Sequence, residues 1–182
     1  MHFIPSPLAG AYLIKPTQTA DNRGWFSRIY CREEYAEIEP DLNWVQFNNS
    51  FTYKTGTIRG LHFQYEPFSE IKLVRCISGE IFDVIVDVRE NSPTFLKWFS
   101  GVLSSQNRTM MYVPRGFAHG FQTLTDNCEI FYAHSYSYKA GHEGAIKYND
   151  PAIAVEWPLP VSEISDRDRI LPLITEAFKG TK

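Results

Sequence analysis

The sequence predicts an all-β protein, a barrel or jelly roll with short helices at its flanks. Three observations carry that prediction: period-two alternation of hydrophobicity in several segments, turn residues between them, and 15% aromatic content with 13 Phe and 10 Tyr. Alternation marks half-buried strands. Aromatic residues favour strands and stacking surfaces, and many short strands separated by Gly, Pro, Asn and Asp are the pattern of closed or double-sheet β folds.

Along the chain, Arg32 to Glu39 has helical periodicity and Pro40 stops it. Lys72 to Ile77 and Phe82 to Arg89 read as strands joined by a tight hairpin turn at Ser78-Gly79. In the second of these, Phe82, Val84, Val86 and Val88 share one face, while Asp83, Asp87 and Arg89 surround Ile85 on the other. Met110 to Val113, Gly120 to Leu124 and Glu129 to Tyr136 continue the strand pattern, and Ser165 to Phe178 is helical in period, limited or kinked by Pro172. No repeat, linker or shift of composition marks a second unit, so residues 1–182 are expected to form one domain. A chain of 182 residues can bury a core that needs no metal or disulfide staple.

A net charge of −3 and a pI near 6 supply no basic excess for nucleic acid or an anionic membrane. A bound phosphate would have to be held by a few placed arginines. The three cysteines, Cys31, Cys76 and Cys128, are odd in number and lack CxxC spacing, so they read as reduced, buried thiols rather than a disulfide framework or a zinc site. Met1 to Pro7 has no basic region followed by an apolar run, and no stretch approaches membrane-spanning length. The expectation is a cytoplasmic protein.

Two histidines stand in similar settings far apart in sequence, His62 in Arg59-Gly60-Leu61-His62-Phe63-Gln64 and His119 in Pro114 to Phe121. The second run, Pro-x-Gly-x-x-His after a strand, is similar to the second motif of the cupin barrels. Metal-binding cupins carry His-x-His and a following Glu in their first motif, whereas this chain has His62-Phe63-Gln64 with Glu66 and Glu70 beyond. Glutamine is a poor transition-metal ligand beside histidine, so no metal is expected. That leaves His62 for acid–base work, which an imidazole's ordinary pKa of about 6.5 suits at neutral pH.

Eight blocks then appear in one order: Asp21 to Gly24, Gln46 to Ser50, Arg59 to Gln64, Lys72 to Arg75, Asp87 to Arg89 with Ser92 to Thr94, Gly116 to Phe121, Asn149 to Pro151 with Trp157-Pro158, and Ser165 to Asp168. Together they resemble the dTDP-4-dehydrorhamnose 3,5-epimerase family across nearly the whole chain. The resemblance implies a cupin-type jelly-roll β-barrel with short flanking helices, including a C-terminal helix. It also implies a homodimer that uses no cofactor and epimerises a nucleotide-linked 4-keto-6-deoxy sugar, dTDP-4-dehydro-6-deoxy-D-glucose to dTDP-4-dehydro-L-rhamnose. By the same resemblance His62 is the base, Asp168 orients it, Lys72 stabilises the enolate and Tyr132 returns a proton from the opposite face. Arg23 and Arg59 match residues on the diphosphate, His119 a second active-site histidine, and Phe26 and Tyr138 contacts to the base or sugar; Gln46 and Asn48 join the substrate-binding set.

The chemistry explains these residue types. A proton beside a ketone leaves only if negative charge on the former carbonyl oxygen is stabilised, so a buried cation near that oxygen is the largest expected electrostatic contribution. Inversion requires an acid on the face away from the base. Period-two alternation places Tyr132 with Ile130, His134, Tyr136 and Tyr138 on one face, and Lys72 with Val74 and Cys76 on another. Read from the residues alone, plainer roles stay open: Ser165-x-x-Asp168 resembles a helix capping box, Tyr132 a core tyrosine, Lys72 an exposed strand lysine, and Gln46 and Asn48 structural amides.

Two departures stand out. Where the family carries a glutamate that helps read the pyrimidine, this chain has Arg28 after Trp25-Phe26-Ser27, a donor in place of an acceptor. After Tyr132 the family commonly has a lysine, and this chain has Ala133-His134. The alternatives are a single-site 3- or 5-epimerase, a metal-dependent cupin oxygenase using His62 and His119, and a non-catalytic cupin that binds a sugar nucleotide.

Overall fold

A computed structural model describes all 182 residues of the chain. Its strands form two antiparallel sheets. The larger runs in the order β1 (His2–Pro5), β2 (Tyr12–Lys15), β10 (Met110–Val113), β7 (Lys72–Ser78), β12 (Cys128–His134) and β5 (Gln46–Thr52). The smaller runs β13 (Glu143–Ala145), β6 (Ile58–Gln64), β11 (Phe117–Thr123), β8 (Glu80–Asp87) and β9 (Trp98–Ser104). A separate hairpin, β3 (Gln18–Asp21) with β4 (Gly24–Ser27), and two single-turn helices, α1 (Arg32–Tyr35) and α2 (Asp166–Arg169), complete the chain. This is the predicted cupin-type jelly roll, and no helix is long and apolar enough to cross a membrane.

Each strand's alternation decides which side chains meet between the sheets. Val74, Cys76, Met111 and Ile130 from the larger sheet pack there against Ile81, Ile85, Phe117 and Phe121 from the smaller. The opposite face of the smaller sheet, Leu61, Phe63, Val84, Val86 and Val88, is covered by Ile146, Ile153 and Val155 with Trp157, Ile174 and Phe178. The outer face of the larger sheet, Ile14, Leu73, Met110 and Ala133, is covered by Tyr35 and Leu42. The inward rows are apolar at one end and polar at the other: β7 passes from Cys76 through Val74 to Lys72, and β12 from Ile130 through Tyr132 to His134. A jelly roll with a polar mouth follows from these rows.

Four local expectations are corrected. Strands β7 and β8 meet at Gly79 but belong to different sheets, so the connection is a corner and not a hairpin. Gly79 has φ +77, and a Cβ there would sit 2.7 Å from Cys128 Sγ, which leaves only glycine for the corner. Strand β12 ends at His134 because Ser135 bonds back to Ile71, its N–H donating to the Ile71 carbonyl at 3.0 Å and its Oγ accepting the Ile71 N–H at 2.8 Å. The helix expected over 32–39 closes after Tyr35, whose buried ring fixes the segment against the sheet. The helix expected over 165–178 is only Asp166–Arg169: Pro172 offers no N–H, the Ile174 N–H donates to Asp150 Oδ2 at 2.6 Å, and Thr181 bridges to Arg89. Its helix-like spacing of Ile174 and Phe178 serves an irregular strap across the smaller sheet.

A close backbone approach lies beside the histidines. Gly60, at φ +121, would place a Cβ 2.5 Å from Gly120 Cα and 2.8 Å from the His119 carbonyl, where β11 has a register irregularity between His119 and Phe121. Gly60→Ala is expected to lower stability by roughly 3 kcal/mol through backbone strain and displacement of β11. Denaturant titration measures it, and an unchanged midpoint would contradict this account of the strand crossing.

Candidate active site

The polar end of the interior opens into a cavity of about 1180 Å³ lined by His62, Lys72, His119, Tyr132 and Asp168, with Asn48 and Arg59 at its wall. A smaller cavity of about 390 Å³ adjoins it and is lined by Gln46, Gln64, Glu70, Tyr138 and Glu143. Asn48, His62, Lys72, His134 and Arg167 line both. One continuous hollow therefore begins between the sheets and runs outward past Lys72 and His134.

His62 and His119 face each other directly across β6 and β11. Each is tied by Nε2 to a carboxylate at 2.7 Å, His62 to Asp168 and His119 to Asp83. A carboxylate accepts, so Nε2 of His62 carries the hydrogen and Nδ1 is the basic nitrogen. The His62 side chain is 39% exposed, whereas its Asp168 partner is 4% exposed. Burial pushes the Asp168 carboxyl up, but bonds and charge from His62, with Ser165 and the Gly60 N–H, outweigh it and hold the group below the ordinary carboxylate range.

The capping reading of Asp168 also holds. Ser165 Oγ accepts the Asp168 backbone N–H at 3.1 Å, which starts α2 and leaves the carboxylate free for His62. Both roles are met by different atoms of one residue. Asp83 is fully buried; burial raises its carboxyl pKa, against His119 and Lys72, and its Oδ2 has no hydrogen-bond partner.

Lys72 is buried on the larger sheet. Its Nζ donates to the His62 carbonyl at 3.1 Å and lies 3.1 Å from Glu70 Oε1. Gln64, where metal-binding cupins place a second histidine, spends its amide on the protein: Nε2 donates to Glu70 Oε2 and the Phe68 carbonyl at 2.9 Å, and Oε1 accepts the Lys139 N–H at 2.7 Å. Tyr132 stands across the hollow from the histidines, its hydroxyl 3.2 Å from Ser50 Oγ. Burial, reinforced by the Asp83 charge, raises the Tyr132 phenol well above its ordinary range, so it remains a proton donor.

Arg59 is held by Thr52 Oγ1 and the Phe51 carbonyl, and Tyr138 donates its hydroxyl to Glu143 Oε1 at 2.7 Å. Gln46 and Asn48 point inward from β5 and are bonded to each other. Arg23 and Phe26 are not brought to this cavity: they lie on the exposed β3–β4 hairpin, with Arg23 paired to Asp21. Arg28 is likewise outside, 3.0 Å from Glu34. Sequence reasoning left Asp83, Glu70, His134 and Arg167 out of the site. Asp83 carried a signal, a carboxylate between Ile81 and Ile85 on one strand face, and His134 shared the face of Tyr132; Glu70 and Arg167 lie in loop and helix positions that no periodicity marks.

The fold thus sets a carboxylate-bonded histidine on the smaller sheet against a buried ammonium and a neutral phenol on the larger. A family model described as dTDP-4-dehydrorhamnose 3,5-epimerase matches residues 5–176. The chain is 42% identical to the dTDP-4-dehydrorhamnose 3,5-epimerase of Sinorhizobium fredii, over 97% of this chain and 91% of that one. Its structure is similar to the Legionella pneumophila epimerase in complex with dTDP-4-keto-L-rhamnose, with TM-score 0.91, 33% identity, and 100% and 98% of the two chains covered. It also resembles ChmJ, a 3′-monoepimerase from Streptomyces bikiniensis in complex with dTDP-quinovose, with TM-score 0.87, 29% identity, and 93% and 86% covered. The chain belongs to the dTDP-4-dehydrorhamnose 3,5-epimerase family.

Glu70→Ala is expected to strip the buried Lys72 ammonium of its counter-charge and cost about 3 kcal/mol, read as a lowered denaturation midpoint that Glu70→Gln partly restores. His134 gives a pH signature. Burial, with the charges of Lys72 and His119 and against that of Glu70, lowers its pKa from 6.5 to about 4. The unfolded chain therefore takes up a proton as pH falls from 6.5 towards 4 while the folded chain does not, and stability declines in that window. His134→Gln should flatten that decline in melts at successive pH values, and an identical pH slope in both proteins would refute the assignment.

Proposed function

We propose that the chain converts dTDP-4-dehydro-6-deoxy-D-glucose to dTDP-4-dehydro-L-rhamnose by epimerisation at the carbons flanking the ketone. The observation that carries this reading is the placement of His62 with Asp168 on one side of the hollow and Tyr132 on the facing sheet, with Lys72 beside His62. Nδ1 of His62 takes the proton from the carbon beside the ketone. The C–H electron pair passes into the carbonyl oxygen, and the Lys72 ammonium stabilises the enolate. Collapse of the enolate takes a proton from the Tyr132 hydroxyl on the other face, which inverts the centre. Proton exchange with water resets His62 and Tyr132 for the second carbon.

Arg59, Gln46, Asn48, His119 and Tyr138 hold the substrate in this reading, and a guanidinium suits the diphosphate. Because Arg23 and Phe26 stand outside the cavity of their own chain, their place is in the site of a second copy. The exposed aromatic residues Phe26, Phe47, Phe51 and Tyr53 support a homodimer. The cytoplasm suits its free thiols. The likeness to a 3′-monoepimerase favours one second reading, inversion at a single carbon.

Incubation with dTDP-4-keto-6-deoxyglucose in deuterated water separates these readings. Two carbon-bound deuterons with inversion are expected, one deuteron indicates the single epimerase, and none excludes both for that substrate. His62→Ala should abolish exchange at every position. Tyr132→Phe should leave exchange largely in place and impair productive inversion, so full inversion by both variants would show that the roles are misassigned.

A further inference from the structure

His134 enters the hollow at the point where its two cavities join, beside Lys72, yet the reaction just described gives it no part. It is the cross-strand neighbour of Lys72 on the inward face, and such pairs stand close enough to act on one atom. A chain of amide hydrogen bonds fixes which of its nitrogens bears the hydrogen. The Tyr138 backbone N–H donates to Gln46 Oε1 at 2.9 Å, so the other end of Gln46 is the donor Nε2, 3.2 Å from Asn48 Oδ1. The Asn48 oxygen is thereby used as acceptor, and its Nδ2 is the atom 3.3 Å from His134 Nε2. An amide nitrogen only donates, so Nε2 of His134 accepts and its hydrogen is on Nδ1.

The only hydrogen bond of the ring within the protein is that at Nε2, which leaves Nδ1–H without a protein acceptor, and the ring lines both cavities. The charged and titratable groups around the ring are Lys72 and Glu70 on and before β7, His119 on β11 and Tyr132, stacked against it on β12, with His62 and Arg167 lining the same two cavities, while β5 presents the neutral Gln46 and Asn48. Beside an ammonium the imidazole stays neutral, and a neutral imidazole is a donor that adds no second charge to the pocket.

We infer that His134 is a further catalytic residue, whose Nδ1–H donates to the substrate oxygen that becomes the enolate, alongside the Lys72 ammonium. The two donors then form an oxyanion hole, one charged and one neutral, aimed at the atom where charge develops. No proton is transferred by His134; it strengthens a hydrogen bond as the carbonyl oxygen becomes negative. The inference rests on the epimerase reading above and deepens it.

The test measures solvent-deuterium incorporation into dTDP-4-keto-6-deoxyglucose by wild type, His134→Ala and His134→Gln, with dTDP binding and melting temperature as checks on folding. Removal of one such donor is expected to lower kcat for exchange by about 10- to 100-fold with KM little changed. His134→Gln, which retains an N–H donor, should recover part of the loss. The deficit of His134→Ala should be constant between pH 6 and 9, because the donor does not titrate there. An unchanged kcat, a defect confined to KM, or a deficit that changes across that range would overturn the assignment while wild-type exchange upholds the epimerase reading. If His134→Ala fails to fold, a wild-type kcat in a folded His134→Leu overturns it equally, and a kcat loss there supports it. Absence of exchange in the wild type on this substrate would remove the epimerase reading and the inference together.

Discussion

A polar side chain directed between two packed sheets loses its water, and it must find a partner in the protein or carry the cost of being buried alone. The mouth of this barrel is organised by that constraint. Its inward polar groups arrive at positions dictated by strand alternation, and the partners they find then dictate their chemistry. His62 receives Asp168, and its basic nitrogen is thereby chosen. Lys72 receives Glu70 and the His62 carbonyl, so a cation persists where an apolar row would otherwise continue. Gln64 is used up on Glu70, Phe68 and Lys139, which fixes the wall behind Lys72.

The same geometry divides labour between the sheets. His62 and His119 come from the smaller sheet, Lys72 and Tyr132 from the larger, so a sugar ring between them would meet His62 on one face and Tyr132 on the other. The face-to-face packing of the two sheets therefore sets His62 and Tyr132 on opposite walls of one hollow. The apolar half of the interior, from Val74 and Ile130 to Phe121, is the rigid base on which those groups stand.

Much of this was legible in the residues, for physical reasons that differ from place to place. Alternation revealed β7, β8 and β12 because one side of each strand meets a different environment from the other, and it put Tyr132 and Lys72 inward correctly. It misjudged the connection at Gly79, since a corner between sheets and a hairpin within one use the same turn residue. It also misread the C-terminal strap as a helix, because Ile174 and Phe178 follow the curvature of the sheet they cover at a spacing that mimics a helical turn. Of the site, the residues in motifs were visible, whereas Glu70 sits in a loop that carries no periodicity and Asp83 is buried behind His119. Arg23 and Phe26 lie on the exposed β3–β4 hairpin, away from the hollow of their own chain, so alternation within one chain could not bring them to a site.

The capped start of α2 ties the chemistry to one late stretch of chain. Ile164 bridges to Ile58 and Ser165 caps the turn that delivers Asp168 to His62, so the piece that closes the outside of the smaller sheet also fixes the hydrogen on His62 Nε2. During synthesis all thirteen strands are made before residue 168. The carboxylate that fixes which His62 nitrogen bears the hydrogen is therefore the last piece of this site that the chain supplies, added after every strand of the barrel.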